Sequence, residues 1–344
     1  MPQSPITIAG KKISPGTHHL IELPVASLYT HTVMHLPVHV IHGRAVGPKL
    51  FVSAAIHGDE LNGVEVIRRL LEQKLLKQLR GTLIAIPFVN SFGMLQHSRY
   101  LPDRRDLNRS FPGSEKGSLA ARLAHIFLNQ IVKHCEYGID LHTAAINRTN
   151  LPQIRANLTD AETRELARVF GVPVLLNANT RDGSLREAAA EHGIKMLLYE
   201  AGEALRFDEI SIHAGLRGII NVMRYLQMLR PRTNKSAQRV TEPYIAHGSS
   251  WIRAPHSGLL TMHIKLGDRI NKDQLLGKVV DPSDMFNSNE FIIISSISGI
   301  VIGKTILPLV NEGDAILHIA SFEDTCEIAA EVDTFQQLMT QEKL

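Results

Sequence analysis

Two cysteines, Cys135 and Cys326, are all that 344 residues hold, which excludes a disulfide framework and a thiolate metal cage. Any metal must then bind through histidine and carboxylate. Long apolar runs are missing too: no stretch reaches the roughly 18 residues of a membrane span, and Met1 to Lys12 holds no apolar core of signal-peptide length. The expected location is the cytoplasm, with no membrane partner. A surplus of one charge is also absent. Lys and Arg number 37 against 34 Asp and Glu, a net charge of +3, and the basic residues are scattered, which argues against a nucleic-acid partner. No Gly-x-Ser-x-Gly elbow occurs, against a serine hydrolase of that kind. The stretch Gly299-Ile300-Val301-Ile302-Gly303-Lys304-Thr305 is one residue short of a phosphate-binding loop and no helical pattern follows it, so turn glycines explain it.

What is present is a globular composition, 44% hydrophobic and 21% charged, in a chain long enough for two domains. Residues 1–47 carry short β-type stretches such as Leu36 to Ile41, ended by glycine and proline. From there strand and helix patterns alternate. Strands are expected at 50–56, 82–89, 137–141, 172–176 and 195–199, and helices at 61–76, 119–132, 161–170 and 211–229. Such alternation predicts a mainly parallel α/β sheet with helices on both faces. Arg230 to Ser236 has linker composition, and beyond it short β stretches punctuated by glycine predict a small all-β unit. The expected division is therefore 1–235, 240–320, and a tail 321–344 that is acidic first and then amphipathic, a short terminal helix.

The chemistry gathers at expected strand ends. His57-Gly58-Asp59-Glu60 follows the first strand, Asp140-Leu141-His142-Thr143 contains the end of another, and Glu200 precedes Ala201-Gly202 at the end of a third. Position matters here, because His-x-x-Glu alone occurs by chance and His19-Leu20-Ile21-Glu22 is a second match. Ligands of open α/β sheets bind beyond the carboxyl ends of the strands, where His57 stands and His19 does not. Two histidines and one glutamate with an open fourth position form the ligand set of a catalytic zinc, and a free carboxylate nearby completes hydrolytic chemistry. The segment Arg99 to Gly113 holds four arginines, either a grip for an anionic group or a solvated surface.

These motifs, with Asp106-Leu107-Asn108-Arg109 between them, resemble in order those of the succinylglutamate desuccinylase/aspartoacylase family, relatives of zinc carboxypeptidases. The likeness covers about residues 36–230. It implies a carboxypeptidase-like mainly parallel or mixed sheet and removal of an acyl group from an N-acylated amino acid that has a free carboxylate. It also implies one Zn2+ per chain held by His57, Glu60 and His142, with Glu200 as general base. By the same resemblance Arg99 stands beside the scissile carbonyl, Asn108 and Arg109 grip the substrate carboxylate, and Asp106 orients the first histidine ligand. Arg148 is a further candidate for the substrate pocket. The segment from Ala254 to Ile319 resembles biotinyl/lipoyl barrel-sandwich folds, but no lysine stands in the Ser295-Ser296 turn, which points to a structural or capping role rather than a carrier. Competing readings are a metallocarboxypeptidase for short peptides and a zinc-binding protein without activity; a homo-oligomer is possible in each.

Overall fold

The structure, a computed structural model, describes residues 3–178, 181–231, 243–283, 289–323 and 325–341. Of the expected linker at 230–236, residues 232 onward lie outside the described residues, as do the expected boundaries at 235 and 240.

The chain opens with a small β1 (Ile6–Ile8) and β2 (Lys11–Ile13) pair, then the hairpin β3 (Thr17–Ser27) and β4 (Val33–His42). The α/β alternation follows: β5 (Ala45–Ala54), α1 (Asn62–Leu71), β6 (Arg80–Ile86), α2 (Ser91–Leu95), α3 (Leu119–Gln130), β7 (Tyr137–His142), β8 (Arg148–Ala156). It continues through α4 (Ala161–Phe170), β9 (Val174–Asn177), α5 (Leu185–Glu191), β10 (Lys195–Gly202) and α6 (Glu209–Tyr225). The C-terminal part is β throughout: β11 (Tyr244–Ala246), β12 (Gly248–Arg253), β13 (Gly258–Met262), β14 (Arg269–Ile270), β15 (Leu275–Val280), β16 (Glu290–Ile294), β17 (Gly299–Thr305), β18 (Leu309–Val310) and β19 (Ala315–Ser321). Helix α7 (Thr325–Gln341) closes the chain.

Four parallel strands, in the order β10-β7-β5-β6, form the centre of the large sheet. Antiparallel strands flank them, β4 and β3 on one side and β8 on the other, so the sheet is mixed. Burial on both faces explains the near-continuous apolar runs of β5, β6 and β7. One face packs Val66, Ile67 and Leu70 of α1, Leu166 and Phe170 of α4, and Ile212 and Ile219 of α6. The opposite face packs Leu123, Phe127 and Leu128 of α3 with Leu185 and Ala189 of α5.

Local chemistry sets the helix ends. In α4, Asp160 accepts from the Thr163 amide at 2.8 Å, and Gly171, with φ of +88°, turns the chain out of the helix. The stretch 61–76, expected as one helix, ends at Leu71; a separate 3-10 turn, Lys74–Gln78, brings the chain back toward β6.

The large sheet does not stop at β8. Strand β17 pairs with β8, β19 with β17, and β12 with β19, so the C-terminal strands extend it. A four-stranded antiparallel sheet, β16-β15-β13-β18, packs over this extension around Ile252, Val279, Ile293, Val301 and Ile316, the small barrel-sandwich-like body expected. No helix among the described residues is long and apolar enough to cross a membrane.

Candidate active site

Three adjacent parallel strands, β5, β7 and β10, end on one edge of the sheet. Register places Ser53 beside Asp140 and Glu200 beside His142. Past β5, Ala55 takes a φ of +49° and the chain turns through His57-Gly58-Asp59-Glu60 before α1 begins. Gly58 is required there: a Cβ at this position would lie 2.0 Å from the Gly93 carbonyl carbon, so any side chain would push the loop off the strand edge.

His57, Glu60 and His142 come together, with one ligating atom from each lying within 4.8 Å of the others. All three are buried. Glu60 bridges the imidazoles, Oε1 being 2.7 Å from His57 Nδ1 and Oε2 2.8 Å from His142 Nδ1; the Thr143 amide also donates to Oε2. Each ring turns its other nitrogen to an aspartate, His57 Nε2 to Asp106 at 3.1 Å and His142 Nε2 to Asp140 at 2.7 Å. Donation of both Nε2 hydrogens to carboxylates leaves two Nδ1 lone pairs facing Glu60, an arrangement that calls for positive charge between them. A divalent cation of the zinc type fits these donors, since neutral imidazole nitrogens and a carboxylate are its usual ligands.

The electrostatics carry the same demand. Burial alone would raise the Glu60 carboxyl, but His57 and His142 hold it well below the usual carboxylate range. Burial would lower both imidazoles, and the acids reverse that: Asp140 and Glu60 raise His142, while Glu60 and Asp106 raise His57. Asp106 is likewise held low, against burial, by His57 and Arg99.

The segment between α2 and α3 supplies the next wall. Asp106 caps a 3-10 turn, Leu107–Arg109, by accepting from the Asn108 amide at 2.8 Å, while its other oxygen takes Arg99 Nη2 at 2.9 Å. Arg99 thereby lies 3.2 Å from His57 Nδ1 and 3.6 Å from Glu60. Asn108 accepts from the Leu185 amide, which ties the turn to α5. Arg109 donates to the Asn108 carbonyl and has no carboxylate partner among the described residues. Burial lowers the Arg109 guanidinium, and Arg181 and Arg99 add to the effect.

His57, Glu60, Arg99, Asn108, Arg109, Asp140 and His142 line one cleft of about 650 Å³, together with Glu200 and Arg148, while Asp106 stands behind His57 and Arg99. Glu200 has a side-chain exposure of 21%; Asn150 Nδ2 donates to its Oε2 at 3.0 Å and Arg155 Nε stands 3.3 Å from the same oxygen. Arg148 lies over the Trp251 ring, 5.2 Å from its centroid, and Trp251 stacks on His318. Thus every site residue expected from sequence is brought to one place.

Residues 46–226 match the family model of the succinylglutamate desuccinylase/aspartoacylase catalytic domain, over half of the chain. The chain belongs to that family. An N-alpha-acetyl-L-2,4-diaminobutyric acid deacetylase of Halomonas elongata is 26% identical over 288 residues, which are 81% of this chain and 84% of that protein. Among solved structures, a succinylglutamate desuccinylase/aspartoacylase of Rhodobacter sphaeroides superposes with a TM-score of 0.79 at 23% identity, covering 89% of this chain and 96% of that one. Product-bound ectoine utilization protein EutE (DoeB) of Ruegeria pomeroyi gives 0.78 at 23% identity, over 89% and 94%. These two likenesses concern the fold.

In this family member the cleft also takes residues that sequence reasoning left out. Asp140 was in view only as part of a motif, although its place two residues before His142 on one strand puts both side chains on the same face. Asn150 and Arg155 lie on β8, a strand the apolar pattern did not announce. Trp251, Arg253 and Asp314 reach the cleft from the C-terminal β unit, and no local signal could have linked them to residues 57–200.

Proposed function

We propose that this protein is a zinc-dependent deacylase that hydrolyses the amide bond of an N-acyl amino acid carrying a free carboxylate. The observation that carries the reading is the convergence of the His57, Glu60 and His142 donor atoms within 4.8 Å in an arginine-lined cleft that also holds Glu200. Zinc bound there would acidify a water and polarise the scissile carbonyl. The chain's own groups supply the rest. Glu200, partly exposed beside Asn150 and Arg155, takes the proton of the attacking water and returns it to the leaving nitrogen. Arg99, fixed by Asp106, directs its guanidinium at the site where negative charge grows on the carbonyl oxygen. Arg109 binds the substrate carboxylate, Asn108 lines the cleft beside it, and Asp106 holds the His57 tautomer.

The substrate's charge follows from the walls. Seven arginines line the cleft against four carboxylates, and two of those four, Glu60 and Asp140, are engaged by the histidines. Such a cleft favours anions. The Halomonas relative is named for an N-acetylated diaminobutyric acid; the present cleft supports an acidic or uncharged side chain over a side-chain ammonium. The extension of the cleft to Trp251, Arg253 and Asp314 favours one further reading, a carboxypeptidase acting on short peptides. Incubation of zinc-loaded protein with N-acetyl and N-succinyl amino acids and with dipeptides tests both. Release of free amino acid from the acylated set alone supports the deacylase, and cleavage of the dipeptides alone replaces it with the peptidase.

A further inference from the structure

The base proposed above is a flexible carboxylate on a strand end, and efficient proton transfer needs one of its oxygens held at a fixed place. Hydrogen bonds on Glu200 are one-sided. Asn150 Nδ2 donates to Oε2 at 3.0 Å, and Arg155 Nε lies 3.3 Å from that same oxygen. Oε1 accepts no hydrogen bond among the described residues and belongs to the open cleft.

What holds Asn150 in turn comes from the far end of the chain. Strand β8 pairs on one side with β10, placing Asn150 opposite Gly202 just past a bulge, and on the other side with β17, placing Asn150 opposite Gly303. A Cβ at residue 303 would lie 2.7 Å from Asn150 Oδ1. Only glycine leaves the carboxamide the space it occupies.

We propose that Asn150, seated against Gly303 of the C-terminal β unit, is a positioning residue that anchors one oxygen of Glu200 and leaves the other free to accept the proton. This rests on the reading of Glu200 as the base. Arg155 assists by placing positive charge beside the anchored oxygen. The C-terminal unit thus shapes the catalytic carboxylate through a backbone approach, without itself touching the reacting atoms.

The test compares five variants of the zinc-loaded full chain. A hydrogen bond to a charged group is worth roughly a 10- to 150-fold effect, so Asn150→Ala should lower kcat by at least about tenfold while KM and zinc content stay near those of the wild type. Asn150→Asp keeps the shape and replaces the donor with a second negative acceptor, so it should be worse than alanine; a packing role would make it the milder change. Gly303→Ala should lower kcat in the same direction. The decisive arm is Glu200→Gln with Asn150→Ala, where the asparagine change should cost nothing further, because it acts only through the base. An unchanged kcat in Asn150→Ala, or an equal loss in the presence and absence of Glu200, overturns this inference alone. An unchanged kcat in Glu200→Gln itself removes the base reading and this inference with it.

Discussion

Asp140 and His142 face each other across 2.7 Å, Oδ2 to Nε2, although they stand only two residues apart on β7. The other oxygen of Asp140 accepts from the Ser53 hydroxyl at 2.7 Å, so one buried carboxylate links the strand ends beneath two of the candidate ligands. An aspartate in this position fixes which imidazole nitrogen carries hydrogen and makes the other a stronger donor to metal.

Asp140→Asn should therefore weaken zinc binding by about 10- to 100-fold while the fold persists. Competition against a chelator of known affinity measures it, and affinity equal to wild type would reduce Asp140 to a packing residue.

Zinc itself should be found at one ion per chain, and His57→Ala should lose it. Elemental analysis of purified protein decides the point; a metal content untouched by His57→Ala places the ion elsewhere.

Glu200→Gln should retain zinc and lose about 10²–10⁴ in kcat, the usual scale of general acid–base catalysis. If the metal leaves with the carboxylate, Glu200 is a ligand and the assignment of roles must be redrawn.

Arg109→Ala should lower kcat/KM by about 10- to 150-fold, the worth of roughly 1.5–3 kcal/mol for a charge-assisted hydrogen bond. The penalty should nearly vanish on a substrate whose carboxylate is blocked as an amide. Equal losses on acid and amide would show that Arg109 supports the turn at 107–109 instead of reading the substrate.

His318 gives a pH dependence. Burial, then Arg155 and Arg181, push its imidazole down to about 3 from its ordinary value of 6.5, and its Nδ1 has no hydrogen-bond partner among the described residues. The unfolded chain binds this proton below about pH 6.5 and the folded chain does not. The stability contribution is therefore full above pH 6.5 and is lost as pH falls toward 3, with a limiting slope of about 1.4 kcal/mol per pH unit from this group. Melting temperatures of wild type and His318→Phe between pH 7 and 4 check it: the wild type should lose more. Parallel curves would assign the acid sensitivity to other groups.

Much of the fold was legible because buried parallel strands and amphipathic helices write strong periodic patterns. Leu50 to Ile56 and Tyr137 to Leu141 are such runs, and their ends pointed to His57 and His142. Strand β8 was not legible, since Arg148, Asn150, Pro152, Gln153 and Arg155 break the apolar pattern in Arg148–Ala156. The residues that obscure it include those that line the cleft, so the site's own chemistry hides the strand. The cleft's far wall escaped for a different reason: Trp251 and Arg253 reach residues 57–200 only through pairing of distant strands, which no local window contains.

The join between β8 and β17 has a consequence for biosynthesis. It pairs Asn150 with Gly303, so residues 148–150 of β8, beyond the stretch that β9 covers at 153–156, wait for a partner that leaves the ribosome much later. Until then the nascent chain presents a short unpaired strand edge, the sort of template on which chains associate wrongly. A fragment limited to the family-matching residues 46–226 would carry that edge permanently. Strands from the last third of the chain thus complete the sheet of the first two, and loss of the C-terminal unit should appear first as aggregation during expression.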